Sequence, residues 1–267
     1  EQDESVVDPT ILFEAAKRAL QGRALTVKAK VALQPGTMNP LTYGHITASL
    51  ASIIDKHIDK VILANGGTVP DKPYAASATI RNEMANIATQ APGLSDWLLV
   101  TPIRAQTVKM FSRDEKTLKL AGRDEKARRF NMDMAAFIWL FVANSNVQWF
   151  YIVGADKLAG YGKKNEINLL QNTLHPAGVK VLYFSREEAA GFTYEEHIQP
   201  FGWLDRLWKQ DLFVESSIPS FEDVSATKVR RALAEGEDTI DDIPLSEMLP
   251  SGVIEYIKGN KALLSLY

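Results

Sequence analysis

The chain has 267 residues, of which 46% are hydrophobic, so it is long enough to bury a full core as one large domain or as a domain with an appended segment. A formal charge of −3 excludes the broadly basic surface that sequence-independent nucleic-acid binding requires, so we expect no nucleic-acid partner. The lack of cysteine excludes a disulfide framework and thiolate metal ligands. No apolar run approaches membrane-spanning length. Together these features predict a cytoplasmic protein without a membrane partner, and nothing in the sequence indicates an oligomeric state.

The N-terminal residues 1–24 are predicted to form a helical extension, because apolar residues recur at helical spacing from Ile11 to Leu20, after Pro9. Residues 25–236 are expected to form one α/β domain. Residues 237–267 are expected to form a C-terminal helical segment packed on the same domain.

Short apolar runs that do not alternate with polar residues predict strands buried on both faces, and the amphipathic stretches between them predict helices. The predicted strands are Lys28–Gln34, Lys60–Ala64, Trp97–Thr101, Trp149–Val153, Val179–Phe184 and Leu212–Glu215. The predicted helices begin near Thr42 and span Ala75–Gln90, Lys126–Asn144 and Asn165–Gln171. This alternation predicts a Rossmann-like, doubly wound parallel sheet with helices on both faces.

The loop after the first strand is the most informative part of the chain. It runs from Pro35 to Pro40 and leads into a helix that carries Thr42 and His45 near its start. A strand, a glycine-bearing turn and a helix N-terminus together present backbone N–H groups and the positive end of a helix dipole, an arrangement that binds phosphate. The stretch from Lys28 to Ser49 therefore predicts a phosphate-binding junction.

Polar residues and glycines follow the other predicted strands as well. In open parallel sheets, ligands bind beyond the carboxyl ends of the strands, where the strand order reverses. We therefore expect the residues that follow the strand ends to lie at one rim of the sheet. They are Thr37, Asn39, Thr42, His45, Gly66, Gly67, Lys72, Gly154, Asp156, Ser185 and Arg186.

A second polar segment lies at Val224–Leu233, which predicts a helix with Ser225 as its N-cap. Cations in the first turns of a helix oppose its dipole, so Arg230 makes sense there if an anion is held by the same turn. Thr227 and Arg230 are three residues apart and share a face. A solvated helix face is the alternative for this segment taken alone.

Two motifs carry a resemblance to a known family. Gly36-x-x-x-Pro40 followed by Thr42-x-Gly44-His45 resembles the first motif of the nucleotidylyltransferase superfamily. Val224-Ser225-Ala226-Thr227-x-x-Arg230 resembles the second motif, with Ala226 in place of a hydroxyl residue. Within the superfamily, nicotinamide or nicotinate mononucleotide adenylyltransferases are similar at Gly154-x-Asp156, Ser185-Arg186 and Ile254–Ile257.

The resemblance implies an enzyme that transfers AMP from ATP to nicotinamide or nicotinate mononucleotide, releases pyrophosphate and forms a dinucleotide such as NAD. It implies that the catalytic residues are His45, Thr42 and Arg230. The implied nucleotide-binding residues are Gly36, Thr37, Asn39, Gly44, Gly154, Asp156, Ser225 and Thr227. The implied acceptor-binding residues are Lys72 and Arg186.

The chemistry of such a transfer requires little beyond positioning. The attacking phosphate is already anionic, so it needs no general base, and the barrier lies in bringing anions together. Because the sequence holds no compact carboxylate cage, we expect no protein-held metal and expect Mg²⁺ to arrive with ATP. Adenylyl transfer to phosphopantetheine, CMP transfer, and a catalytically silent nucleotide-binding regulator remain alternatives.

Two charged runs have less specific interpretations. Arg104–Arg129 holds nine Lys or Arg against four Asp or Glu. This run is either a lid that meets the acceptor phosphate or, as we favour, solvated surface. The acidic run Glu235–Asp242 is interpreted as a solvated connection.

Overall fold

A computed structural model describes residues 29–66, 75–91, 93–104, 136, 140, 146–184, 192–218 and 226–267. Several expectations lie outside these residues. They are the N-terminal extension 1–24, Gly67, Lys72, the basic run beyond Arg104, Ser185, Arg186, Ser225 and most of the helix Lys126–Asn144. Within the described part of the chain, no helix is long and apolar enough to cross a membrane.

Six parallel strands form the central sheet. They are β1 Ala29–Gly36, β2 Lys60–Asn65, β3 Leu98–Thr101, β4 Val147–Gly154, β5 Lys180–Phe184 and β6 Phe213–Glu215. Their order is β3-β2-β1-β4-β5-β6, and every neighbouring pair is parallel. This order is that of a doubly wound Rossmann-like fold, so the predicted fold class is confirmed.

Helices connect and cover the strands. They are α1 Tyr43–Lys56, α2 Ala78–Thr89, α3 Leu94–Trp97, α4 Ala155–Ala159, α5 Tyr161–Lys164, α6 Ile167–Leu169, α7 Tyr194–His197, α8 Gly202–Lys209, α9 Ala226–Glu235, α10 Ser251–Gly259 and α11 Lys261–Leu264. A π-helical turn, Leu170–Leu174, continues α6, and a 3₁₀ turn, Leu245–Glu247, precedes α10.

The structure corrects two of the expectations. The single helix predicted over Asn165–Gln171 is part of a broken series from α4 to the π-helical turn, because Asn165 adopts a left-handed backbone (φ 53°) that ends α5. The acidic run Glu235–Asp242 is exposed except at Ile240, as a solvated connection should be, but it also contains most of a short antiparallel hairpin, β7 Thr239–Ile240 and β8 Ile243–Pro244. Its turn residues Asp241 and Asp242 both have positive φ, which matches the twist of a tight hairpin.

Alternate residues of each strand face two separate cores. Ala32, Leu63 and Ile152 face the first core, which also takes residues of α1, α2, α9 and α10, and we call this side the α1 face. Leu33 and Tyr151 face the second core with residues of α4, α5 and α8, and we call this side the α4 face. The hairpin and the last two helices bury apolar residues on the α1 face. These residues are Ile240, Val253, Ile257 and Leu263.

Candidate active site

The chain reverses its winding between β1 and β4, which are neighbours at the centre of the sheet. The loops that leave these strands run in opposite directions, and a crevice opens between them. A cavity of about 530 Å³ lies in this crevice. Seven of the residues proposed from the sequence line it. They are Gly36, Thr37, Thr42, Gly44, His45, Gly154 and Asp156.

Thr42 and His45 form the start of α1. Thr42 is the extended N-cap residue and is fully buried. Its backbone N–H donates to Nδ1 of His45 at 3.3 Å, and its Oγ1 lies 2.8 Å from the same ring nitrogen. Because a backbone N–H only donates, Nδ1 is the unprotonated nitrogen, and the proton of the neutral ring is on Nε2. The helix cap therefore sets both the orientation and the tautomer of His45.

Gln34 joins this first turn to the sheet. Its Nε2 donates to the carbonyl of His45 at 3.1 Å, and its Oε1 accepts a short bond from Ser49 Oγ. Gln34 is 6% exposed, so these bonds satisfy an amide that burial would otherwise make costly. Gln34 therefore fixes the backbone of His45, and with it the first turn of α1, relative to β1.

Arg81 holds the two loops that follow β1 and β2. Its guanidinium donates to the carbonyls of Thr37 at 2.7 Å, Gly66 at 2.8 Å and Ala76 at 2.9 Å. Arg81 is 1% exposed, and burial together with the charge of nearby Arg104 lowers its pKa. Three charge-assisted bonds to backbone carbonyls compensate for that burial and connect the loop that follows β1 to the segment that follows β2.

The two sequence motifs meet behind the first loop. Arg230 donates through Nη1 to the carbonyl of Asn39 at 2.6 Å and through Nη2 to Oγ1 of Thr227 at 3.0 Å. Tyr267 donates its hydroxyl proton to Oδ1 of Asn39 at 3.1 Å. Asn39, Thr227 and Arg230 therefore lie together on this side of the loop and are not among the residues that line the cavity. Arg231, one residue on, is exposed.

The opposite wall of the cavity comes from the end of β4. Gly154 ends the strand, and a Cβ added there would collide with the carboxylate of Asp156, which folds back over it. Lys157 follows and donates through Nζ to the Tyr151 hydroxyl at 2.8 Å. Glycine is thus required at this position for the Asp156 side chain to take its place.

Among the described residues, the cavity lining also includes three cations that the sequence analysis did not assign to the site, and one carboxylate, that of Asp156. The cations are Arg104, Lys157 and Lys164. From the sequence, Arg104 is the first residue of a basic run for which we favoured solvated surface over a lid that meets the acceptor phosphate. Its position three residues after the end of β3 could have indicated a place at the site, because the residues that follow the strand ends form the rim of the sheet. Lys157 and Lys164 belong to no motif that we recognised.

The described residues offer few ligands for a metal ion. Among them, no group of three or more His, Asp or Glu side chains is placed to hold a metal ion. The cavity wall therefore does not supply a carboxylate cage within the described part of the chain.

Curated proteins from two clostridia are similar to this chain over most of its length. No protein-family profile matches the chain. A curated relative from Clostridium acetobutylicum, described as a probable nicotinate-nucleotide adenylyltransferase, is 21% identical over 234 residues, which cover 87% of this chain and 98% of the relative. A second relative with the same description, from Clostridium tetani, is 23% identical over 215 residues, which cover 80% of this chain and 92% of the relative.

Solved structures give the same likeness in three dimensions. Two structures of Plasmodium falciparum nicotinic acid mononucleotide adenylyltransferase, one complexed with APC and one with NaAD, superpose with TM-scores of 0.58 and 0.59. Each covers 90% of this chain and 98% of its own, at 12% identity. The likeness shows that this chain shares the fold of that adenylyltransferase. In sequence, the chain is similar to proteins described as nicotinate-nucleotide adenylyltransferases, which agrees with the resemblance of its two motifs.

Proposed function

We propose that the protein is an adenylyltransferase that transfers AMP from ATP to nicotinate mononucleotide, or to its nicotinamide analogue, and releases pyrophosphate. One observation carries the proposal. Thr42 and His45 line a single cavity with Gly154 and Asp156 at the switch point of the sheet, and Arg230 of the second motif contacts the same loop. The descriptions of the two clostridial relatives support nicotinate mononucleotide as the acceptor.

The proposed reaction is an in-line displacement at the α-phosphorus of ATP. A phosphate oxygen of the acceptor forms a bond to this phosphorus while the bond to the bridging oxygen of the β-phosphate breaks, and that oxygen leaves with pyrophosphate. Negative charge builds up on the α-phosphate and on the leaving group. Fixed donors and cations around these groups therefore lower the barrier without a general base.

In this proposal, His45 donates its Nε2–H to an oxygen of the α-phosphate. The tautomer required for this is the one that the Thr42 backbone bond already selects. The N-terminal end of α1 adds the positive end of its dipole. Gly36, Thr37, Thr42 and Gly44 complete the phosphate cradle. A donor held in place before the substrate binds costs no reorganisation during the reaction.

Arg230 is assigned to the β- and γ-phosphates as they become pyrophosphate. Its guanidinium fork, oriented by the Asn39 carbonyl and Thr227, suits paired phosphate oxygens better than a lysine does. Gly154 would allow close approach of a nucleoside, and Asp156 would accept a hydrogen bond from a ribose hydroxyl. Ser225 as a nucleotide contact, and Lys72 and Arg186 as acceptor contacts, remain predictions from the sequence.

Mg²⁺ is assigned to the triphosphate. The described cavity wall offers only one carboxylate, Asp156, and this donor set fits a metal held mainly by phosphate oxygens. When bound, the ion would neutralise charge on the phosphates. The cationic side chains of the cavity act in the same direction on the two anionic substrates.

The test is pyrophosphate release with ATP or CTP against a panel of acceptors: nicotinate mononucleotide, nicotinamide mononucleotide, phosphopantetheine and glycerol phosphate. We expect turnover with ATP and the pyridine mononucleotides, with the dinucleotide identified by mass spectrometry. Turnover restricted to CTP or to phosphopantetheine would assign another transferase activity. Nucleotide binding without turnover on any acceptor would assign a silent regulator.

A further inference from the structure

We propose that Arg104 binds an anionic group of the acceptor and fixes the side from which the acceptor reaches the α-phosphorus. The inference rests on the proposed function and assigns one of its substrates to a residue outside both sequence motifs. Arg104 lines the same cavity as Thr42 and His45. It is 8% exposed, so its guanidinium is a buried cation at the wall of the cavity.

The orientation of the Arg104 guanidinium is fixed by backbone. Nη1 donates to the carbonyl of Gly36 at 2.9 Å and to that of Ala64 at 3.2 Å, at the carboxyl ends of β1 and β2. The guanidinium is planar, so bonds through one nitrogen fix the direction of the whole fork. A cation that is positioned before the ligand arrives binds an oxyanion without losing side-chain entropy at that step.

The two arginines extend from segments that pack on opposite faces of the sheet. Arg230 belongs to α9, whose residues Val229 and Ala232 are buried in the core of the α1 face. Arg104 follows Ile103, which is buried in the core of the α4 face together with Ala64. Arg230 contacts the carbonyl of Asn39, whereas Arg104 contacts that of Gly36.

This arrangement matches the requirement of an in-line displacement. The attacking and leaving oxygens must lie on opposite sides of the α-phosphorus. If pyrophosphate leaves toward Arg230, the acceptor approaches from the opposite side, where Arg104 lies. Lys157 and Lys164 line the same cavity and add to its positive potential. Arg104 is therefore a residue for the acceptor and not for the triphosphate.

The acceptor carries two oxyanions that a guanidinium recognises, its phosphate and, in nicotinate mononucleotide, the ring carboxylate. Both present paired oxygens to the planar fork. Nicotinamide mononucleotide keeps the phosphate and replaces the carboxylate by a neutral amide. A comparison of the two acceptors therefore shows whether Arg104 binds the phosphate or the carboxylate.

A purely structural role for Arg104, as a tie between the ends of β1 and β2, predicts different measurements. If Arg104 only links the two strand ends, its loss lowers the melting temperature and raises the KM values for ATP and for the acceptor alike. Loss of an acceptor contact raises the KM for the acceptor and leaves the KM for ATP in place. A rise in the KM for the acceptor without a rise in the KM for ATP is therefore a result that a structural role would not produce.

The experiment compares Arg104→Met, Arg104→Lys and the control Arg206→Met, which removes an exposed guanidinium outside the cavity. For each protein, KM and kcat are measured for ATP, nicotinate mononucleotide and nicotinamide mononucleotide, with melting temperatures alongside. We expect Arg104→Met to raise the acceptor KM about 10- to 100-fold, the range for one charge-assisted contact, with a smaller rise for Arg104→Lys. Arg206→Met should match the wild type.

Each result decides the assignment. An equal rise for both acceptors assigns Arg104 to the phosphate, and a rise for nicotinate mononucleotide alone assigns it to the carboxylate. A rise in the KM for ATP, or unchanged acceptor KM values in folded variants, overturns the proposal. If Arg104→Met does not fold, Arg104→Lys carries the same test. A wild-type protein that is inactive with both acceptors refutes the proposed function, and that outcome is distinct from a failure of the Arg104 assignment alone.

Discussion

At the residue scale, His45 is the side chain whose environment most narrowly limits its chemistry. The backbone N–H of Thr42 selects the tautomer with a protonated Nε2, and the Gln34 amide holds the carbonyl of the same residue. We expect His45→Ala to lower kcat by about two to three orders of magnitude, the effect of removing one preorganised donor to a developing anion. Steady-state kinetics with circular dichroism on the same samples measures this.

His45→Gln provides the matched control for that prediction. Its amide places an N–H₂ donor in a similar region, so part of the lost rate should return while the ring is absent. A folded His45→Ala variant with unchanged kcat would remove His45 from the chemistry.

Adjacent arginines in α9 offer a second test at this scale. Arg230 spans the Asn39 carbonyl and Thr227, whereas Arg231 is exposed. We expect Arg230→Lys to slow turnover at least 10-fold, because an ammonium group cannot keep both contacts and also present a fork to pyrophosphate. Arg231→Lys should be nearly silent. Kinetics on the two variants settles the matter, and a more damaging Arg231→Lys would contradict the role assigned to Arg230.

At the scale of elements, α5 packs against the residue that precedes α8. Gly162 of α5 lies so close to Phe201 that an added Cβ would collide with its ring, whereas a Cβ at Gly202 would meet no atom within 4 Å. We expect Gly162→Ala to destabilise the protein by about 1–3 kcal/mol through overpacking. Gly202→Ala should leave stability unchanged or slightly raise it, since alanine favours a helix. Thermal unfolding of the two variants makes the comparison, and equal melting temperatures would contradict the close packing.

The sequence was sufficient to predict the strands, because buried parallel strands are apolar throughout. It also predicted that residues after the strand ends, such as Thr42 and Gly154, lie together, and these two line one cavity. It was insufficient for the segment from α4 to the π-helical turn, where short turns interrupt the helical period. The hairpin β7–β8 was missed because its acidic turn resembles a solvated connection. Arg104 was missed because its role depends on two carbonyls that are distant in sequence, Gly36 and Ala64.

At the scale of the whole molecule, Tyr267 links the last helix to the first loop. Its hydroxyl donates to Asn39, and burial raises its pKa to about 12 despite the charges of Arg230 and Arg81. An unfolded tyrosine titrates near 10. The neutral phenol is therefore favoured in the fold, and its contribution is complete below pH 10 and is lost as the pH rises from about 10 to about 12.

We expect Tyr267→Phe to lower the melting temperature by about 2–4 °C at pH 8, the effect of about 1 kcal/mol for one hydrogen bond in a chain of this size. The difference in melting temperature from the wild type should shrink or reverse at pH 11. At that pH the phenol is ionised in the unfolded wild type but neutral in its folded state, so only the wild type is destabilised by this group. Other tyrosines titrate in both proteins and cancel in the comparison. A difference that is constant between pH 8 and pH 11 would contradict the burial of this hydroxyl.

The contacts of Asn39 also determine when a working site exists during biosynthesis. Its partners Arg230 and Tyr267 lie 191 and 228 residues further along the chain. A nascent polypeptide therefore exposes His45 and the phosphate loop early, yet lacks the two side chains that contact Asn39 until 191 and 228 further residues have been synthesised. Contacts of such long separation form late, after the entropy of closing the chain has been overcome. Translation products that stop before α9 should fold parts of the sheet and have no nucleotidyl-transfer activity.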